Sequence, residues 1–353
     1  MDIKIQPNQK IYKFQFIRKL GGGAFGEVWQ AYDSFIDKLA AVKVLAGNTT
    51  VDNRLLEAKV GSKLSHANLV NVHYAETIAI DGKNYVFIVM DYLQSGSLVS
   101  QLNSCNFLPL PQVLSYSRNI LCGLEYLHEM NFYHNDIKPQ NILIGDGKQA
   151  VLSDYGITCF SETGSATEAR SFYKLHAAPE TITTSSASVQ TDIYQLGVTM
   201  FRLLVGIGCL HEKFCAVDET NFYEMVCSGS LIKDCDFPAY VPNSLKAIIK
   251  KAIAVNPFDR YCSALEMRRA LEKITFPGYW TSDEAGNLIG HKGSYIYSFS
   301  VEQTAANKYV FIAKKKNIKS GKEAKISDFC RQNLSRSQLK SLIAKYLHNV
   351  VEK

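Results

Sequence analysis

The sequence predicts an α+β chain: a β-rich first part, a larger helical second part, and a small α+β module at the C-terminal end. Three observations carry this. Tyr12 to Leu20, Val28 to Tyr32, Ala40 to Leu45 and Tyr85 to Met90 are short runs rich in β-branched and aromatic residues, the signature of strands. Pro111 to Met130 places Leu114, Ile120, Leu121, Leu124 and Leu127 at helical spacing, and Leu196 to Leu210 is an apolar run broken only by Arg202, which suits a buried helix. The charge then changes near Phe276-Pro277-Gly278. Residues 276–353 hold 13 Lys+Arg against 6 Asp+Glu, whereas the 275 residues before them hold 26 against 27.

Those signals divide the chain into a first domain over 12–275 and a basic accessory module over 276–353. Within the first domain the strands run to about residue 90, a hinge covers 91–97, and the helical part covers 98–275. At 353 residues and 46% hydrophobic, the chain can bury a sizeable core. Nine cysteines show no C-x-x-C pair and no metal-ligand spacing. The first twenty residues are interrupted by charge and amide, and neither end carries a lipidation signal, so the reading is a cytoplasmic chain with reduced thiols. No apolar run reaches membrane-spanning length, and no membrane partner is expected.

The chemistry concentrates in Phe132 to Gly156, FYHNDIKPQNILIGDGKQAVLSDYG. Asp136, Lys138, Asn141 and Asp154 fall within nineteen residues, among short apolar runs that read as a buried hairpin. Two carboxylates, an ammonium and an amide brought to one point suit phosphoryl transfer: one carboxylate orients the acceptor, an amide oxygen and the second carboxylate hold metal ions, and the cation steadies the moving phosphoryl group. The glycines at 21, 23 and 26 fit G-x-G-x-x-G, a pattern dinucleotide sites share. A dinucleotide site requires a helix next. Val28-Trp29-Gln30-Ala31-Tyr32 reads instead as a returning strand, giving a glycine hairpin whose backbone N–H groups can approach phosphates.

The spacing Asp-x-Lys-x-x-Asn followed by Asp-Tyr-Gly resembles the catalytic and metal loops of the eukaryotic-type protein kinases, and further matches follow in the family's order over about residues 12–275. The resemblance implies a two-lobed kinase fold, β-rich in the N-lobe and helical in the C-lobe. It implies Asp136 as catalytic base, Lys138 near the γ-phosphate, and Asn141 and Asp154 as Mg²⁺ ligands. His134 matches a structural histidine and is given no proton transfer. The ATP site implied comprises Gly21, Gly23, Gly26, Val28, Ala41, Lys43, Glu57, Met90, Asp91, Leu93 and Leu143. Lys43 would grip the α- and β-phosphates and pair with Glu57 on a helix over Asn53 to Leu64, Met90 would guard the adenine pocket, and the backbone of Asp91 and Leu93 would meet the adenine edge. Ala178-Pro179-Glu180, Asp192 and Arg260 match the family's closing motif, the aspartate opening a central buried helix, and the arginine pairing with Glu180.

Three positions depart from the family pattern. Asn135 stands where an arginine precedes the base, and Tyr155 replaces the metal loop's Phe. Gly61 stands one turn after Glu57 in place of a bulky apolar residue, which implies a weakened helix and a gap between the lobes. Residues 157–177, rich in Ser and Thr, read as a mobile loop.

The resemblance thus implies a Ser/Thr protein kinase using ATP and Mg²⁺ on a protein substrate. The alternatives are an ATP-binding scaffold without turnover, or a nucleic-acid-associated regulatory kinase. In the module, Gly278 to Ala313 suggests two or three strands, and Lys314 to Lys325, with six lysines in twelve residues, a basic linker. Helices are expected near 326–333 and 335–348. The spacing from Phe329 through Asn333 to Leu339 is similar to a helix-turn-helix, and docking of an anionic partner (acidic protein or nucleic acid) or autoregulation is the expected role.

Overall fold

In the computed structural model, residues 4–23, 26–45, 61–102, 106–169, 171–283, 285–305 and 307–352 are described. The N-lobe is one antiparallel sheet of β1 (Lys10–Ile11), β2 (Phe14–Gly23), β3 (Gly26–Asp33), β4 (Lys38–Leu45), β5 (Val72–Ile80) and β6 (Lys83–Asp91), in the order β1-β2-β3-β4-β6-β5. Strand alternation gives the sheet two different faces. Phe14, Phe16, Trp29, Val42, Val44 and Phe87 form one core, with the Phe14 and Phe87 rings stacked at 5.5 Å. On the other face Val28 lies opposite Lys43, and Ala41 opposite Met90. Directly paired residues share a face, so four residues expected at the nucleotide site line one surface.

The C-lobe is built on α1 (Leu110–Glu129), which buries Val113, Ile120, Leu121, Leu124 and Leu127. After it come β7 (Phe132–Tyr133) and the hairpin of β8 (Ile142–Ile144) and β9 (Ala150–Leu152). Next in the chain are β10 (Cys159–Phe160), β11 (Thr167–Glu168), α2 (Pro179–Thr184) and β12 (Ser186–Ala187). The central helix α3 (Val189–Val205) starts at a capping box formed by Ser188 and Thr191 and is buried along most of its length. Around it stand α4 (Gly208–Cys215), α5 (Glu219–Cys227), α6 (Asn243–Ala252) and α7 (Ala264–Glu272). Among the described residues no single helix is long and apolar enough to cross a membrane.

Within residues 157–169 and 171–177 there is more backbone pairing than the composition suggests. β10 pairs with β7, β11 pairs with β12, Tyr133 donates its hydroxyl to the Gly164 and Ser165 carbonyl oxygens, and Ala169 N–H donates to Ser185 O. Backbone pairing holds this segment where apolar side chains are scarce. The expected gap at Gly61 is also absent. A Cβ there would lie 2.3 Å from Val72 Cγ2 and 3.4 Å from Tyr155 Cδ2, so neighbouring side chains already fill the space.

The C-terminal module differs most from expectation. It is an antiparallel sheet of β13 (Gly278–Ser282), β14 (Leu288–Lys292), β15 (Tyr295–Ala305), β16 (Lys308–Asn317), β17 (Glu323–Lys325) and β18 (Arg331–Leu334), followed by α8 (Arg336–Glu352). Lys314, Lys315 and Lys316 belong to a strand and not to a linker, and Lys314 pairs with Lys325 across β16 and β17. Among the described residues there is no helix-turn-helix at the expected place. The stretch expected as its first helix supplies β18, which joins the free edge of β16 opposite Tyr309 and Phe311. Asn333 does adopt the left-handed backbone expected of it (φ 55°), but in leaving a strand. Helix α8 buries Leu339, Tyr346, Leu347, Val350 and Val351. Trp280, Phe299, Phe311 and Tyr346 pack edge to face or tilted around them. The Trp280 indole donates to Leu347 O at 3.0 Å, satisfying the polar atom of a fully buried ring. Glu352 Oε1 accepts from Asn243 N–H, capping α6 of the C-lobe from the end of α8.

Candidate active site

The loop between β7 and β8 is shaped by the buried Asp192 at the start of α3. Its carboxylate accepts the backbone N–H groups of His134 (2.9 Å) and Asn135 (2.7 Å), and its Oδ2 also meets His128 Nε2 at 2.8 Å. Gln195, one turn on, donates to Asn135 O and accepts from Ile137 N–H. These bonds hold Asn135 at φ 61°, a conformation asparagine tolerates, and turn Asp136 into the cleft. His134 Nδ1 accepts the Asp136 N–H at 3.3 Å, so the ring hydrogen is on Nε2, which donates to Ser153 O at 3.1 Å. Burial displaces this histidine below its ordinary value, against the pull of Asp192, and it serves as a neutral brace between the two loops.

Asp136 is nearly enclosed. Its Oδ2 accepts Lys138 Nζ at 2.7 Å and Asn141 Nδ2 at 2.8 Å, while its buried Oδ1 has no partner among the described residues. Asn141 donates a second bond to Asp136 O, and its own carbonyl receives the Ser153 N–H and hydroxyl. Its amide nitrogen is thus committed to Asp136. Asp154 sits at φ 70° and accepts Lys43 Nζ at 2.7 Å and Gly156 N–H at 3.2 Å. Burial acts to raise its carboxyl, but the Lys43 ammonium outweighs burial and holds it below the usual value. Oxygen donors of these types, a carboxylate and an amide, are the ligands a hard cation such as Mg²⁺ takes.

The remaining positions expected at the site distribute as follows. Gly21, Gly23 and Gly26 lie on the β2–β3 hairpin, where Gly23 pairs with Gly26. Gly26 must be glycine, because its φ is 128° and a Cβ would lie 2.3 Å from Val44 O. Leu143 on β8 bridges to Ser97, below the hinge. Asp91 N–H is already given to Asn71 O, so only its carbonyl remains for an adenine edge; its carboxylate is held by Asn71 and His73, each at 2.9 Å. Glu57, and with it the Lys43–Glu57 pair, lies outside the described residues. Tyr155 is buried, with its hydroxyl on Val70 O at 2.9 Å.

Glu180 and Arg260 form a bidentate pair, both bonds 2.8 Å, and Arg260 also donates to three backbone carbonyls, of Ala254, Gln190 and Val255. Sequence reasoning overlooked a second buried group. His176 Nδ1 donates to Ile137 O at 2.8 Å, and its Nε2 faces Arg202 Nη1 at 2.7 Å. Burial and then the neighbouring guanidinium push this histidine well below its ordinary value. Arg202, the one charge in the apolar run from Leu196 to Leu210, was the available signal.

A family model described as the protein kinase domain matches residues 14–272. The chain belongs to the protein kinase family. A probable serine/threonine-protein kinase of Dictyostelium discoideum is 27% identical over 275 residues, covering 76% of this chain and 58% of its own length. The probable serine/threonine-protein kinase PknB of Lactococcus lactis is 29% identical over 284 residues, covering 75% of this chain and 44% of its own. PrkC of Bacillus subtilis, a serine/threonine-protein kinase, is 28% identical over 263 residues, covering 72% and 39%. The chain therefore spans less than two thirds of these relatives. The family match ends near the start of the β13–α8 module, which lies beyond the kinase domain.

Proposed function

We propose that this protein is a Ser/Thr protein kinase that transfers the γ-phosphate of ATP to protein hydroxyls. The observation that carries the reading is the state of Asp136. One carboxylate oxygen is committed to Lys138 and Asn141, and the other is buried with no partner among the described residues. An acceptor hydroxyl donating to that free oxygen would be oriented for in-line attack, and Asp136 would take its proton. Lys138, held beside the same carboxylate, supplies positive charge where the phosphoryl group moves. Lys43 places a second ammonium at the inner end of the cleft. Asp154 and Asn141 would hold Mg²⁺, which when bound neutralises phosphate charge. Most of the rate enhancement then comes from positioning and fixed charge.

Incubating the full-length protein with labelled ATP, Mg²⁺ and a whole-cell extract, beside an Asp136→Ala variant, tests this. Phosphorylation of Ser or Thr by the wild type alone is the expected result. Equal labelling by both proteins, with nucleotide binding retained, would leave only the scaffold reading.

The +7 balance of residues 276–353 supports a role for the module in recruiting an acidic protein partner. Lys314, Lys315, Lys316 and Lys325 stand on the paired strands β16 and β17, which gathers their charge on one part of the sheet. Such recruitment weakens steeply as salt rises.

A further inference from the structure

We propose that Tyr173 is a positioning residue for phosphoryl transfer, whose ring holds the Lys138 ammonium beside Asp136; this rests on the kinase reading above. Lys138 Nζ stands 4.4 Å from the centre of the Tyr173 ring and 2.7 Å from Asp136 Oδ2. A lysine has a flexible four-carbon stem and three rotatable donors, so one ion pair does not define where its charge sits. A ring face opposite the carboxylate does, because the ammonium is then attracted from two sides. No other aromatic ring among the described residues lies under Lys138.

The ring itself stands on a rigid base. Tyr173 packs against the C-lobe core and tilts against the His176 imidazole at 5.5 Å. His176 is fixed by Ile137 O and by Arg202, and Arg202 Nη2 donates to Ile207 O. Burial pushes the Arg202 guanidinium below its ordinary value, and the nearby Tyr173 hydroxyl works against that. Among the described residues Arg202 has no carboxylate partner, although it is only 3% exposed. A buried cation without a counter-ion is costly to keep, and its neighbours here are the ring that faces Lys138 and the histidine that bonds Ile137. Ile137 lies between Asp136 and Lys138 in the chain. The end of the activation segment, the stretch over residues 157–177 that Ala178-Pro179-Glu180 closes, thus reaches the catalytic pair by two routes, through the Tyr173 ring and through His176.

A cation held over a ring is worth about 0.5–2 kcal/mol, a factor of about 2 to 30. Tyr173→Phe keeps the ring and should keep kcat within about threefold, whereas Tyr173→Leu should lower kcat by about tenfold with the KM for ATP changed less than twofold. Should the leucine variant unfold, Tyr173→Met supplies an unbranched apolar replacement and Tyr173→Trp an aromatic one. The ring-current shift of the Lys138 ε-methylene in ¹³C-lysine NMR, assigned with Lys138→Gln, reads the contact without any turnover. Shielding that persists in Tyr173→Phe and disappears in Tyr173→Leu is expected. An unshielded ε-methylene in the wild type, or a leucine variant with wild-type kcat, overturns the proposal. A wild type that transfers no phosphate would sink the kinase reading instead, and the NMR comparison would still decide on Tyr173.

Discussion

Asn135 Nδ2 donates to the Ser171 carbonyl oxygen at 2.9 Å, tying the catalytic loop to the activation segment through two neutral groups. A phosphate docked here would bring a charge near −2, and an amide cannot neutralise it. The other ties, from Tyr133 to the Gly164 and Ser165 carbonyls, also use backbone acceptors. Replacing Ser161, Thr163, Ser165, Thr167 and Ser171 together by alanine removes every one of those hydroxyls and leaves these bonds in place. Most kinase activity should survive, measured as kcat on a generic peptide. A hundredfold loss would show that a phosphorylated side chain in this segment is needed after all.

The Glu180–Arg260 pair leads to a prediction about stability. The guanidinium is fully buried and makes five bonds, so removing it leaves a carboxylate and three carbonyls without their donor. Arg260→Ala should destabilise the protein by about 3–5 kcal/mol in denaturant unfolding. Arg260→Lys should recover little, because a single ammonium cannot reproduce the bidentate fork. Recovery to within about 1 kcal/mol of wild type would mean that charge alone matters here.

Gly61 gives a third. With Val72 Cγ2 at 2.3 Å from the position of a Cβ, any side chain must displace β5 or the backbone at Gly61 itself. Gly61→Leu is therefore expected to overpack, lowering the melting temperature and costing about 1–3 kcal/mol or more. Combining it with Val72→Ala should restore part of the loss. Full stability of the single variant, together with raised activity, would mean that the space between the lobes is open.

The kinase domain was legible because its chemistry is local in sequence. Asp136, Lys138 and Asn141 lie within six residues, and Lys43 and Met90 sit in short apolar runs that read directly as strands. What the sequence hid depends on long-range pairing. Ile326 to Asn333 looks helical by its polar and apolar spacing, yet the unpaired edge of β16 claims Arg331–Leu334 as a strand. Lys314 to Lys316 look too charged for a sheet, but one strand face can be solvated while Phe311 and Ala313 alternate into the core. Gly61 suggested a gap only because the neighbour that fills it comes from β5. The Tyr173–His176–Arg202 group escaped notice because its members are spread over thirty residues and meet only in the fold.

The last prediction concerns pH and follows from His176. Its folded-state pKa lies far below the ordinary 6.5, because the ring is buried and the Arg202 guanidinium stands 2.7 Å from Nε2. In the unfolded chain the same imidazole takes a proton near its ordinary value. Below that pH the unfolded state binds a proton that the folded state refuses, so stability falls as the solution is acidified. Above it both states are neutral and His176 contributes no pH dependence. The slope should approach 1.4 kcal/mol per pH unit for this group once the pH is well below 6.5 (roughly). His66, His134 and His291 are displaced in the same direction by burial, and they remain in a His176→Gln variant, so the difference between the two proteins isolates His176. Asp154 falls outside this window, since its lowered carboxyl begins to matter only as pH drops through and below its ordinary 3.8. Denaturant unfolding at several pH values between 7.5 and 5 should therefore give a shallower acid slope for His176→Gln than for wild type. Equal slopes would show that His176 accepts a proton in the folded protein, and that Arg202 does not hold it neutral.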